Sequence, residues 1–112
     1  MESKATARFL LVSPRKVRLV ANELRGFSYT EAVDMLRFTP RKAAGFLEKL
    51  LRSARANAAQ ANEALKDEDL YVKKLYVDAG PTLKRWRARA RGRGMRILKP
   101  TSHITVVLSD DQ

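Results

Sequence analysis

Residues 80–100 read GPTLKRWRARARGRGMRILKP. They carry eight basic side chains, Lys84, Arg85, Arg87, Arg89, Arg91, Arg93, Arg96 and Lys99, and no acidic one. On either side stand Leu70 to Val77 (LYVKKLYV) and Thr101 to Leu108 (TSHITVVL), whose β-branched and aromatic content suits strands. Paired strands need a connection of only about two to five residues. About twenty residues separate Gly80 from Thr101, so the segment is expected to leave the body as an arm. Two antiparallel limbs of about ten residues, at about 3.3 Å per residue, project roughly 30 Å.

From Arg85 to Arg93 every second residue is an arginine, with Trp86, Ala88, Ala90 and Gly92 between them. In an extended limb this period places guanidinium groups on one side and small or aromatic groups on the other. The reversal is expected near Arg89 to Gly92, where Gly92 and Gly94 allow close backbone approach. An isolated two-stranded ribbon is marginal in water, and facing arginines weaken it further. A polyphosphate completes it: arginine forks bond phosphate oxygens bidentately and stack on unpaired bases. Trp86 offers another stacking plane, although a lone tryptophan more often packs than stacks. The bland alternative is a disordered basic loop.

The whole chain has 112 residues, the length of one domain, with a body at 1–79 and 101–112 and the arm at 80–100. Lys and Arg number 23 against 12 Asp and Glu, a net charge of +11. Removing the arm's eight leaves +3 over the remaining 91 residues, so the excess charge is concentrated. Nucleic acid is the leading partner and an anionic membrane the second. Cysteine is absent and His103 is the single histidine, which excludes disulfides and thiolate or His-rich metal sites. The start, Met1-Glu2-Ser3-Lys4, has no apolar run after it, and no stretch nears 18 apolar residues. A chain neither exported nor membrane-spanning is expected, with no metal, no cofactor and no homo-oligomer implied.

The body reads as strand and helix in turn. Ala5 to Val12 is a first strand, ended by Ser13 as N-cap and Pro14 in the first helical position. Val17, Val20, Ala21 and Leu24 give a helical stripe that Gly26 stops. Ser28-Tyr29-Thr30-Glu31 fits a capping box before a short helix burying Ala32, Met35 and Leu36. From Pro40 to about Leu65, Ala43, Leu47, Leu50, Ala54, Asn57, Ala58 and Ala61 keep one face of the longest helix. Its opposite face carries Arg41, Lys42, Lys49, Arg52 and Arg55, equally suited to solvent or to RNA. The fold class is therefore α+β: a three-stranded antiparallel sheet packed against three helices, with a long protruding basic β-hairpin.

Rival chemistry is poorly supported. Ser102 and His103 with Asp78 lack the glycine pattern of a nucleophile elbow, and a strand histidine is usually packed or hydrogen-bonded. Asp67, Glu68 and Asp69 lack calcium-loop spacing. Gly92-Arg93-Gly94 lacks the lysine and helix of a phosphate-binding loop. No catalytic residue is expected, and the chain is not read as an enzyme. Acids such as Glu48 and Glu63 on the helices argue against membrane insertion. A DNA-bending architectural protein is the alternative, but its ribbons carry an apolar or proline wedge that this tip lacks.

Ser13 to Val20 (SPRKVRLV), Leu24-Arg25-Gly26, Ser53-Ala54 with Ala56-Asn57-Ala58, Val77-Asp78 with Gly80-Pro81, Lys84-Arg85, Arg89 to Arg93 (RARGR) and Thr101 to Val107 (TSHITVV) together resemble ribosomal protein twenty-two of the bacterial large subunit, over about residues 5–108. That resemblance implies a small α/β domain whose long hairpin reaches through large-subunit RNA to line the nascent-peptide exit tunnel. It implies that Lys84, Arg85, Trp86, Arg87, Arg89, Arg91, Arg93, Arg96 and Lys99 contact ribosomal RNA. Ala88, Arg89, Ala90, Arg91 and Gly92 would form the tunnel tip, and Arg15, Lys16, Arg18, Thr101, Ser102 and His103 RNA-facing motifs of the body. The partners implied are several domains of the large-subunit RNA, neighbouring subunit proteins and, transiently, the nascent polypeptide, with a place in the cytoplasmic ribosome and an early role in subunit assembly. Trp86-Arg87-Ala88 stands where members commonly have an aliphatic residue, a variable one and proline.

Overall fold

A computed structural model describes residues 2–88 and 94–110, and side chains throughout these except at 85–88 and 94–97. The elements run β1 (Glu2–Leu10), α1 (Pro14–Ala21), α2 (Tyr29–Arg37), α3 (Lys42–Ala61), a 3-10 turn (Asp67–Asp69), β2 (Tyr71–Ala79), β3 (Leu83–Ala88), β4 (Gly94–Lys99) and β5 (Ser102–Ser109). Strands β1, β5 and β2 form an antiparallel sheet in that order, and β3 and β4 form a separate antiparallel pair. The α+β class, the three helices and the protruding hairpin are as the pattern predicted.

Alternation divides the sheet. Ala5, Val72, Leu75, Val77, Ile104, Val106 and Leu108 are buried in the main apolar cluster with Val17, Val20, Leu36, Leu47, Leu51 and Ala54 of the helices. On the longest helix the buried set is Ala43, Ala44, Leu47, Leu50, Leu51, Ala54 and Ala58. Asn57 and Ala61, expected in that stripe, are exposed. Asn57 lies at the sheet edge, where its Nδ2 donates to the Lys4 carbonyl at 3.0 Å. The helix ends at Ala61, short of Leu65, because Asn62 turns extended and its side chain accepts from the Ala64 N–H at 3.1 Å. Met35 is only partly buried, and Val33 is buried in the second helix.

The first strand also departs from expectation. It begins at Glu2 and ends at Leu10, and its pairing with β5 shifts register between Ala7 and Leu10. Phe9 sits in that bulge at φ 58°, in the left-handed region that costs an L-residue roughly 1–2 kcal/mol. Among the described residues Gly26 takes the other positive φ, 86°, beyond α1. Between them, Ser13 fills the N-cap position through its carbonyl, which accepts from the Val17 N–H at 3.1 Å, while its side chain makes no cap bond. Ser28 Oγ does accept from the Glu31 N–H, at 3.3 Å.

Edge strand β2 is closed by the segment following α1. The Gly26 N–H donates to the Val72 carbonyl at 3.0 Å and the Val72 N–H to the Phe27 carbonyl at 2.8 Å. Further along, Arg25 Nη2 donates to the Leu75 carbonyl at 2.7 Å, and Arg18 Nη2 to that of Val77 at 2.8 Å. An open edge would template pairing with another chain; here backbone and two guanidinium groups occupy it.

The long axis measures 64 Å against 25 and 17 Å for the others, and the radius of gyration is 17.0 Å. A compact body of this length would have about 13 Å. Pairing of β3 and β4 with each other and not with the sheet accounts for the elongation.

Candidate nucleic-acid interface

The ribbon grows out of the β2–β5 pair. Asp78 stands opposite His103 and Ala79 opposite Ser102, and one step outward the Gly80 N–H donates to the Thr101 carbonyl at 2.9 Å. Thr101 Oγ1 then donates to the Pro81 carbonyl at 2.6 Å, and Ser102 Oγ to that of Val12 at 2.6 Å. Gly80 is required here by space: a Cβ would run into Thr101 Oγ1 and meet the His103 ring at 3.1 Å. These contacts fix the chain on both sides of the ribbon's root.

They also change the picture of the body residues. Thr101 and Ser102, expected on the RNA-facing surface, are 2% and 0% exposed, with hydroxyls committed to backbone carbonyls. Arg18 is exposed, yet its Nε and Nη2 both donate to Val77. His103 Nδ1 accepts from the Phe9 N–H at 3.1 Å, and the Phe9 ring stands edge-on to the imidazole with centroids 4.8 Å apart. A triad with Ser102 is ruled out by these bonds. Arg15 and Lys16 lie exposed on the first turn of α1.

In the ribbon, Leu83 pairs with Lys99, Lys84 with Leu98, Arg85 with Ile97, Trp86 with Arg96 and Arg87 with Met95. Every basic residue in this ladder faces an uncharged one. Among the described rungs none sets arginine opposite arginine, so direct repulsion between cross-strand like charges is avoided there. Charge accumulates along the ribbon instead. Ala88 pairs with Gly94 at the last described rung; the tip residues Arg89, Ala90, Arg91 and Gly92, with Arg93, lie outside the described residues.

The basic face of α3 is divided by local acids. Arg52 pairs with Glu48 at 2.7 Å, and Arg55 with Asp67 at 2.6 Å, a contact that holds the Arg55 guanidinium more firmly protonated than usual. Arg37 also approaches Glu48, at 3.9 Å. At the other end of the body, Lys16, Arg41, Lys42 and Lys99 gather around a groove of about 760 Å³ whose apolar lining includes Leu11, Leu19 and Leu98. Lys16 and Lys99 are among the expected RNA contacts and Arg41 and Lys42 belong to the basic face of the longest helix, but only the fold brings them together with the leucines. Among the described residues no group of three or more His, Asp or Glu side chains is placed to hold a metal, and no helix is long and apolar enough to cross a membrane.

The family model for Ribosomal protein L22p/L17e matches residues 5–109. The chain belongs to that family. It is 56% identical over 110 residues to the large ribosomal subunit protein uL22 of Leptospira biflexa serovar Patoc, covering 98% of this chain and 95% of that one. The uL22 proteins of Thermus thermophilus and Syntrophobacter fumaroxidans are 54% and 50% identical, each over 98% of this chain and over 96% and 99% of their own. L22p/L17e is a family of ribosomal proteins, which is not an enzyme class.

Proposed function

We propose that the chain is a structural, RNA-binding constituent of the large ribosomal subunit, at work in the ribosome in the cytoplasm. The observation that carries this reading is a self-paired ribbon dense in Lys and Arg, mounted by hydrogen bonds at its root on a nearly neutral body, in a member of a ribosomal protein family. Lys84, Arg85, Arg87, Arg96 and Lys99, with Arg89, Arg91 and Arg93, neutralise phosphates of several RNA domains, and Trp86 stacks on a base. Ala88 to Gly92 reach the nascent-peptide tunnel and touch the growing polypeptide in passing. On the body, Arg15, Lys16 and Arg18 are the exposed members of the expected RNA-facing set, Arg18 with its Nε and Nη2 already donating to Val77, while Thr101, Ser102 and His103 hold the ribbon's root and the first strand in place. Binding of several RNA segments by one protein supports subunit assembly beside neighbouring proteins.

Footprinting on large-subunit RNA tests the reading. Because Gly80 and Thr101 already pair, residues 82–98 are replaceable by a short Gly/Ser turn that closes β2 onto β5. The shortened protein is expected to lose most of the wild-type protections. An unchanged protection pattern would sink the mechanism, and equal affinity for duplex DNA and structured RNA at matched salt would favour DNA bending instead.

A further inference from the structure

The groove beside the ribbon's root combines two chemistries. Leu11, Leu19 and Leu98 are 53%, 56% and 53% exposed, and no folding role requires three leucines to converge on solvent. Lys16, Arg41 and Lys99 stand around them, and no acidic side chain lines the groove among the described residues. Lys42 has local employment: its Nζ donates to the Leu11 carbonyl at 3.3 Å and lies 5.8 Å from the centroid of the Phe46 ring, so it braces the wall. What fits is a ligand with an apolar face and anionic groups flanking it. An unpaired nucleotide has both, a base with two apolar faces and a phosphate on each side. The volume, within the range of about 300–1,000 Å³ typical of small-ligand sites, suits a nucleotide and is too small for a duplex.

We propose that this groove receives one unpaired nucleotide of the RNA, with its base against Leu11, Leu19 and Leu98 and its phosphates against Lys16, Arg41 and Lys99. The proposal rests on the RNA-binding reading above. An acidic amphipathic peptide offers the same complementarity of charge, but continuity favours RNA. One wall of the groove is Leu98, Lys99 and Pro100, where β4 returns to the body, so a strand lying along the basic ribbon runs directly into it.

Chemical probing of large-subunit RNA bound to the full chain is expected to show a protected unpaired nucleotide separate from the ribbon's footprint. The double variant Leu11→Ala/Leu19→Ala, whose side chains are exposed and whose folding is checked by thermal melting, should restore that nucleotide's reactivity. It should weaken binding by about fivefold or more, as loss of the apolar area two leucines bury against a base does, and leave the salt slope unchanged. Lys16→Ala and Arg41→Ala should each reduce the slope of log K against log salt by about 0.7. If the leucine variant keeps both footprint and affinity while replacement of 82–98 abolishes binding, the groove proposal fails and RNA binding stands. If the wild-type chain protects nothing, the underlying reading fails. If the leucine variant keeps every RNA protection but no longer admits a neighbouring subunit protein, the occupant is an acidic peptide and the nucleotide proposal is overturned.

Discussion

The Ser102 hydroxyl donates to the carbonyl of Val12 across 2.6 Å, joining residues 90 positions apart at the ribbon's root. Ser102 is fully buried, and the bond ties the strand leaving the ribbon to the segment that enters α1. Ser102→Ala removes the hydroxyl donor from the Val12 carbonyl at a buried position. Such a loss costs about 1–3 kcal/mol. Urea denaturation should show it as a lowered midpoint with unchanged slope, while the salt slope of RNA binding stays as in the wild type. A loss of RNA affinity without loss of stability would return this hydroxyl to the interface.

Gly80 and Thr101 should behave as one unit. A methyl at position 80 collides with Thr101 Oγ1, which is held by the Pro81 carbonyl. Gly80→Ala is expected to cost about 1–3 kcal/mol through overpacking. In the Thr101→Ala background the obstructing hydroxyl is gone, and the cost of Gly80→Ala should fall, leaving a coupling energy of about 0.5 kcal/mol or more in a double-mutant cycle. Strict additivity would mean that the backbone at Gly80 moves freely and that the root is not clamped.

The order of strands and helices and the existence of the ribbon were legible because each rests on local pattern: β-branched and aromatic content in Leu70 to Val77, helical spacing through Ala43 to Ala58, and a connection too long for a hairpin turn. Contacts between distant segments were not. Nothing local to Phe9 announces a left-handed bulge, which depends on His103 offering Nδ1 to its N–H. Thr101 and Ser102 look like surface polar residues in sequence, and only their carbonyl partners at Pro81 and Val12 explain their burial. The groove escaped for the same reason, since Leu11, Arg41 and Leu98 meet only in three dimensions.

Gly26 separates strain from space. Its φ is 86° and nothing lies within 4 Å of the point a methyl group would occupy, so Gly26→Ala meets only the left-handed penalty. The expected loss is about 1–2 kcal/mol, and Gly26→Asn should lose less, because asparagine tolerates this region. Thermal melts of the two variants check the order. Equal losses would point to the hydrogen bond from the Gly26 N–H to Val72 as the vulnerable element.

Tyr29 confers a pH dependence. Burial, then the charge of Asp67, pushes its phenol above the ordinary value near 10. The folded state therefore favours the protonated phenol. Its contribution is complete below the unfolded value of about 10 and is lost as pH rises through the folded value. The difference in stability between wild type and Tyr29→Phe should be constant from pH 7 to 9 and shift against the wild type above pH 10. A flat difference through pH 11 would mean that the phenolate is accommodated without cost.

The ribbon should be the least protected part of the free protein. Strands Leu83–Ala88 and Gly94–Lys99 pair only with each other, and a lone two-stranded ribbon is marginally stable in water. Their amides are expected to exchange within about tenfold of unstructured rates, while those of Ile104, Val106 and Leu108, in the central strand, exchange near the global unfolding limit. Adding large-subunit RNA at low salt should slow ribbon exchange by about 100-fold or more, because phosphates lining the ribbon relieve repulsion along each limb and order the ladder. If ribbon amides are protected like those of the central strand before RNA is added, its order comes from the protein alone, and RNA selects a finished shape.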